Sequence, residues 1–237
     1  MLVQNKCDNY TQFYKKLQRD PLLRNKFIDA LTTNETLWFR DNSFFDGLTN
    51  VIIPQLIENS KKQTRVRIWS AASSTGQEAY SVAMLLDHIG RRKNIRFDLN
   101  KFTILGTDIS PTALQKAKMA SYSQMTISRG MRKDFLNKYF VKKGTAYEVS
   151  PDIRKIVTFK QFNLKDSFRS IGKFDLILCR NVLIYFSDDL KSQIFSKMRD
   201  TLSKNGYLAI GASESPRGLT TEFKQFRAGQ SVLYQVN

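Results

Sequence analysis

The chain predicts an α/β fold built on a mostly parallel, doubly wound sheet, and three observations carry that prediction. Short strand-like apolar runs alternate with stretches of helical periodicity along most of the 237 residues. The run FDLILC, beginning at Phe174, is continuously apolar through Leu176, Ile177 and Leu178, as a central strand covered on both faces requires. Two further runs, 66–71 and 102–107, each lead into a polar turn and then a helical stretch, the order of a βαβ unit.

Taken in order, 10–17 and 22–31 read as two short amphipathic helices, the second entered through Asp20-Pro21 with proline in the first turn. Residues 44–57 continue apolar positions at helical spacing, interrupted by Pro54. After the strand at 66–71 and the small-residue turn SSTG, 78–89 reads as a helix with Ala79, Val82, Ala83, Leu85 and Leu86 inward. The strand at 102–107 ends on Asp108, and Ser110 is placed to cap a helix over 111–119. Strands follow at 157–162 and 174–179, then a helix over 188–202 closed by Asn205-Gly206. Residues 207–210 and 232–236 complete the sheet. One region breaks the alternation: 139–142 and 146–149 read as a hairpin around Lys143-Gly144, with 157–162 as a possible third pairing.

Composition narrows the function classes. A hydrophobic content of 41% with 12% aromatics suffices for a packed core. No apolar run approaches the ~20 residues that span a bilayer, and the first residues lack the charged-then-apolar pattern of a signal peptide. Only Cys7 and Cys179 are present, far apart, so a disulfide framework and a zinc site are not expected and a reducing cytoplasm is. A single histidine, His88, excludes a His dyad or a multi-His metal centre. The net charge is +17, and 115–173 alone holds 14 Lys and Arg against 4 Asp and Glu. Such a stripe favours an acidic partner, whether nucleic acid, anionic lipid or an acidic protein surface.

Two strand ends point to a cofactor. Ala72-Ser-Ser-Thr-Gly-Gln-Glu78 is a tight turn feeding a helix amino terminus, with one glycine where a pyrophosphate cradle would show G-x-G-x-x-G. The geometry still gives close backbone approach and free N–H groups, suited to a smaller anion such as an amino-acid carboxylate. Asp108 ends the next strand, where acids of nucleotide-binding α/β folds accept ribose hydroxyls. A glycine turn and a strand-end acid without a phosphate loop suggest a nucleoside cofactor lacking phosphates, for which S-adenosylmethionine is the candidate.

Six motifs in order then make a resemblance specific: TTNETLWFR (32–40), RIWSAASSTGQEAYSVAMLL (67–86), LGTDIS, NLK, FDLILCRNVLIYF and GASES. From about Leu31 onward the chain resembles the CheR family of chemotaxis receptor methyltransferases. The resemblance implies a Rossmann-like class I S-adenosylmethionine-dependent methyltransferase fold with a small antiparallel β-subdomain inserted. It divides the chain into a helical segment shorter than the family's usual one (1–31), a methyltransferase domain (32–237) and the insertion within it (139–162). It implies transfer of a methyl group to glutamate side chains on the cytoplasmic helices of methyl-accepting chemoreceptors, giving methyl esters and S-adenosylhomocysteine. Cofactor contacts are implied for Asn34, Thr36, Arg40, Glu78, Asp108, Asn163, Leu164, Arg180 and Asn181. Arg40 and Tyr185 are implied nearest the transferred methyl, with no metal. Gln77, Ala79, Lys165 and Ala212 stand where family members more often carry Glu, Pro, Leu and His.

The chemistry suits the composition. A glutamate carboxylate, with a reference pKa of ~4.3, is already ionised near neutral pH and needs no general base. Two other readings use the same fold. A nucleic-acid methyltransferase would suit the charge, but amino-methylating enzymes of that kind carry an N-P-P-[YFW] loop where this chain reads RNVLIYF. A non-catalytic cofactor-binding module on the same scaffold would bind without turnover.

Overall fold

The computed structural model describes residues 3–92 and 97–237. Two helices open it, α1 (Tyr10–Arg19) and α2 (Pro21–Leu31). Asn9 caps the first by accepting from the Gln12 amide, and Asp20 caps the second by accepting from Leu23, ahead of Pro21. They close a small core of Phe13, Leu17 and Leu23 against Phe27. After an extended linker come α3 (Asn42–Gly47), a π-helical turn at Leu48–Ile52 and α4 (Ile53–Asn59). Pro54 at the start of α4 lacks an amide donor, and the widened turn before it accommodates that loss.

The main body alternates as expected: β1 (Val66–Ala71), α5 (Gln77–Arg92), β2 (Phe102–Asp108) and α6 (Pro111–Met119). Ser110 caps α6 by accepting from the Ala113 amide at 3.0 Å. A short excursion follows through β3 (Ser121–Ser123), α7 (Gln124–Ser128), α8 (Lys133–Tyr139), β4 (Phe140–Lys143), β5 (Ala146–Val149) and α9 (Pro151–Lys155). The chain then returns to the body with β6 (Val157–Gln161), β7 (Phe174–Cys179), α10 (Asp188–Thr201), β8 (Leu202–Ile210), β9 (Phe223–Ala228) and β10 (Ser231–Val236).

Seven strands form one sheet in the order β6-β2-β1-β7-β8-β10-β9. Neighbours from β6 to β8 pair in parallel, and β10 runs antiparallel to both β8 and β9. This is the strand order and single reversal of a class I methyltransferase. Strand order turns back between β1 and β7, so the crevice at their carboxyl ends is the topological switch point of the sheet. One face is covered by α3–α5 and the small subdomain, around Leu48, Ile68, Val82 and Leu176; the other is covered by α10, around Trp69, Ile177, Phe195 and Leu208. Among the described residues no helix is long and apolar enough to cross a membrane.

Two expectations are corrected, and one strand escaped the sequence reading. The insertion does not span 139–162 as one sheet: β3 is the third strand of the β3-β5-β4 sheet, while β6 pairs in parallel with β2 in the main sheet. Val157 is buried there, Phe159 is half-buried and Thr158, Lys160 and Gln161 are exposed, so the edge strand carries a weak apolar signal. Asn205-Gly206 does not close α10, which ends at Thr201. Asn205, at φ 63°, lies within β8, where pairing to β7 shifts register between Phe174 and Leu176. The strand β9, reading FKQFRA, is an outer edge whose interspersed cations hide its alternation.

Candidate functional site

At the carboxyl ends of β1 and β7 lies a cavity of about 360 Å³, and every one of the ten residues singled out from the sequence lines it. Asn34, Thr36 and Arg40 come from the linker after α2. Glu78 comes from the first turn of α5, and Asp108 from the end of β2. Asn163 and Leu164 follow β6, and Arg180, Asn181 and Tyr185 follow β7.

The turn after β1 is held in an unusual backbone. Ala72 (φ 62°), Ser74 (φ 49°) and Gly76 (φ 93°) all have positive φ. A Cβ on Gly76 would come within 2.9 Å of the Ala117 Cβ and 3.2 Å of the Tyr122 hydroxyl, so only glycine fits. The two non-glycine residues are strained conformers of the kind that collects at ligand sites; Asn181, which lines the same cavity, and Phe39 and Asp41, which flank the lining residue Arg40, are three more.

Asp108 pins this turn. Its carboxylate accepts from the Ser74 amide at 2.8 Å and the Ser110 amide at 2.9 Å. Burial pushes its pKa up, opposed by the backbone donors of Ser110, Ser74 and Ile109. Each oxygen accepts one of these bonds and keeps a lone pair for a ligand hydroxyl. Beside it, Ser74 Oγ donates to the Asn34 carbonyl at 2.9 Å and Asn34 Nδ2 to Ser110 Oγ at 3.4 Å, tying the linker to the strand ends.

Glu78 is equally engaged. Ser70 Oγ donates to it at 2.8 Å and Arg180 at 3.0 Å. The Arg180 side chain is 2% exposed, lies 3.9 Å over the Phe44 ring, donates to the Arg40 carbonyl at 3.0 Å and pairs with Asp41 at 3.4 Å. Its bonds therefore go to the protein, and it shapes the cavity through Glu78 and the linker. Asp41, which also caps α3, is committed to Arg180 and not to its neighbour Arg40.

Across the cavity the side chains are freer. No hydrogen bond or ion pair engages the Arg40 guanidinium or the Tyr185 hydroxyl among the described residues, and Tyr185 is 63% exposed. Asn163 holds its own turn by accepting from the Lys165 amide at 3.0 Å, and Leu164 is a buried apolar wall. His88 lies elsewhere, its ring 4.8 Å from that of Phe135, with its pKa lowered by burial and nearby cations.

Sequence reasoning missed Glu214. Its carboxylate accepts from the amides of Asn181 (3.0 Å), Val182 (3.0 Å), Ile184 (3.3 Å) and Gly211 (2.6 Å), suspending the loop that carries Asn181 and Tyr185. The signal was an acid in GASES just past a strand end, with no role attached. It also missed Glu35, at the cavity mouth, which pairs with Arg129 at 2.6 Å.

The donor set fits S-adenosylmethionine. A strand-end carboxylate with spare lone pairs suits a ribose, Leu164 and Phe162 offer apolar walls, and the glycine turn brings backbone close. Among the described residues no cluster of three or more His, Cys, Asp or Glu could hold a metal ion.

Comparison with known proteins agrees. The family model described as "CheR methyltransferase, SAM binding domain" matches residues 34–232. Chemotaxis protein methyltransferase Cher2 of Pseudomonas putida is 40% identical over 238 residues, covering 99% of this chain and 86% of that one. Chemotaxis protein methyltransferase 1 of Pseudomonas aeruginosa is 41% identical over 214 residues, covering 90% and 77%. The chemotaxis protein methyltransferase of Listeria innocua is 35% identical over 214 residues, again covering 90% and 77%.

Proposed function

The chain belongs to the CheR family of S-adenosylmethionine-dependent methyltransferases, and we propose that it esterifies glutamate side chains on the cytoplasmic helices of chemoreceptors. One observation carries the choice of acceptor: among the described residues the cavity presents Arg40 and Lys165 as cations without a side-chain partner, while each of its carboxylates already holds a donor. Glu78 and Asp108 each hold two internal donors, Glu35 is paired with Arg129, and the single histidine is elsewhere. An amine or hydroxyl acceptor needs a group to take its proton. A carboxylate arrives already ionised.

In this reading S-adenosylmethionine supplies an electrophilic methyl on a sulfonium. Asp108 receives the ribose hydroxyls, and Asn163 and Leu164 flank the adenine. Asn34, Thr36 and the first turn of α5 border the amino-acid portion. The Arg40 guanidinium grips and orients the incoming carboxylate through its forked donors, and the Tyr185 hydroxyl closes the acceptor side. When bound, the cofactor would offer this methyl to one carboxylate oxygen, the new C–O bond forming as the methyl–sulfur bond breaks and its electron pair stays on sulfur. No proton moves. Positioning and exclusion of water supply the rate. Arg180 and Asn181 complete the wall, the former by fixing Glu78 and the Arg40 backbone.

The test is incubation with methyl-labelled S-adenosylmethionine and membranes of the source organism. Label released by mild base from a chemoreceptor is the expected result. Base-stable label, or label in nucleic acid, would overturn the reading.

A further inference from the structure

The basic stripe at 115–173 remains to be accounted for, and on the subdomain side three of its charges are held in nearby ion pairs. Arg132 pairs with Asp134, Lys138 with Asp87 and Lys143 with Glu148, all local or structural contacts. Arg129 differs. Its partner, Glu35, is 94 residues away and lines the mouth of the methyl-transfer cavity. Both side chains are open to solvent, Arg129 at 47% and Glu35 at 66%, so the contact adds little net stability and is readily exchanged for another carboxylate.

The arginine backbone, by contrast, is fixed. The Trp38 amide donates to the Arg129 carbonyl at 3.2 Å, and Gly130, at φ 99°, sits so close that a Cβ there would meet the Trp38 carbonyl oxygen at 2.2 Å. The same two-residue contact holds the linker just before Arg40. Arg40 also acts on Glu35, which is held below the usual carboxylate range first by Arg129 and then by that second cation. Glu35, paired with Arg129 and lining the same cavity as Arg40, thus occupies a place that an acidic segment could take.

We propose that Arg129 is a second carboxylate-docking residue of the acceptor site, masked at rest by Glu35, and that it selects protein segments carrying a second acid near the methylated glutamate. This rests on the glutamate reading above. On acceptor arrival the neighbouring acid displaces Glu35 from Arg129, while Arg40 takes the glutamate to be esterified. Arg129 acts in acceptor docking and touches no reacting atom.

The test uses two synthetic helical peptides, one with a single glutamate and one with two glutamates four positions apart, titrated by calorimetry into the full chain saturated with S-adenosylhomocysteine. The two-glutamate peptide is expected to bind about two- to fivefold more tightly to the wild type, the scale of an exposed ion pair. Arg129→Ala should remove that difference while leaving the single-glutamate peptide unchanged. Glu35→Gln should tighten the two-glutamate peptide about two- to fivefold, the scale of an exposed ion pair, and lose this gain in the double variant. Equal effects of Arg129→Ala on both peptides, weaker binding by Glu35→Gln, or no binding by any variant would overturn the proposal. Base-labile methyl incorporation into the same peptides is scored separately: the expected binding order without ester formation would support Arg129 docking and contradict the glutamyl reading.

Discussion

Asp108 and Glu78, on the proposed cofactor side of the cavity, each accept two internal hydrogen bonds, whereas the Arg40 guanidinium and the Tyr185 hydroxyl, on the opposite side, make none among the described residues. The first group sits on strand and helix ends locked by Gly76 and Arg180. The second sits on a linker and a loop, one tied down at Asn34 and Trp38, the other hung from Glu214. A small cofactor can be met by a preorganised wall, because it brings all its groups at once. A protein acceptor must approach from solvent, so the groups that receive it are left uncommitted. Preorganisation on one side and availability on the other are what an alignment-driven transfer requires.

Arg40→Ala is the strongest probe of that division. It should lower methyl transfer by about two to three orders of magnitude, the range of a lost transition-state donor, while calorimetric affinity for S-adenosylhomocysteine shifts only about threefold. Equal losses in both would move Arg40 to the cofactor side. Asp108→Asn should do the reverse: affinity for S-adenosylhomocysteine falls about 10- to 100-fold, as for lost hydrogen bonds to a charged group, with transfer at saturating cofactor little changed.

Acidification sharpens the same contrast through Asp108. Its folded pKa is raised by burial, so cofactor affinity should begin to fall at a pH above the ordinary Asp value of ~3.9. The folded state without cofactor also binds this proton more readily than the unfolded chain. The contribution of Asp108 to stability is therefore fully present below the ordinary value and is lost as pH rises through the raised one. Thermal unfolding with and without S-adenosylhomocysteine, as pH is lowered through that window, should show the ligand-induced rise in Tm shrinking. Tyr185→Phe is the smallest expected effect, about tenfold or less in transfer rate with cofactor affinity unchanged; a loss confined to cofactor affinity would place the hydroxyl on the other side.

The strand-end wall proposed for the cofactor was readable from the sequence as structure because its determinants are local. The single-glycine turn, Asp108 and the run FDLILCRNVLIYF each announce a strand end within about ten residues, and the sheet brings those ends together. The acceptor side was legible only in part. Glu35 and Arg129 meet across 94 residues, and Glu214 reaches amides some 30 residues earlier, contacts that no periodicity records. Arg180 shows a subtler failure: its position in the cavity wall was readable, but its commitment to Glu78, Asp41 and the Arg40 carbonyl was not. Asn205-Gly206 misled because residues that terminate helices also serve an irregular strand pairing, and the competing register of β8 won.

The most direct measurement is the single-turnover rate of methyl transfer to a chemoreceptor cytoplasmic fragment between about pH 6 and 9, at saturating cofactor and acceptor. A glutamate ionised well below this range, gripped by an arginine that stays protonated throughout, gives a rate flat with pH. A rate climbing about tenfold per pH unit through neutrality would mean that the acceptor must first lose a proton, and would contradict the carboxylate acceptor proposed here.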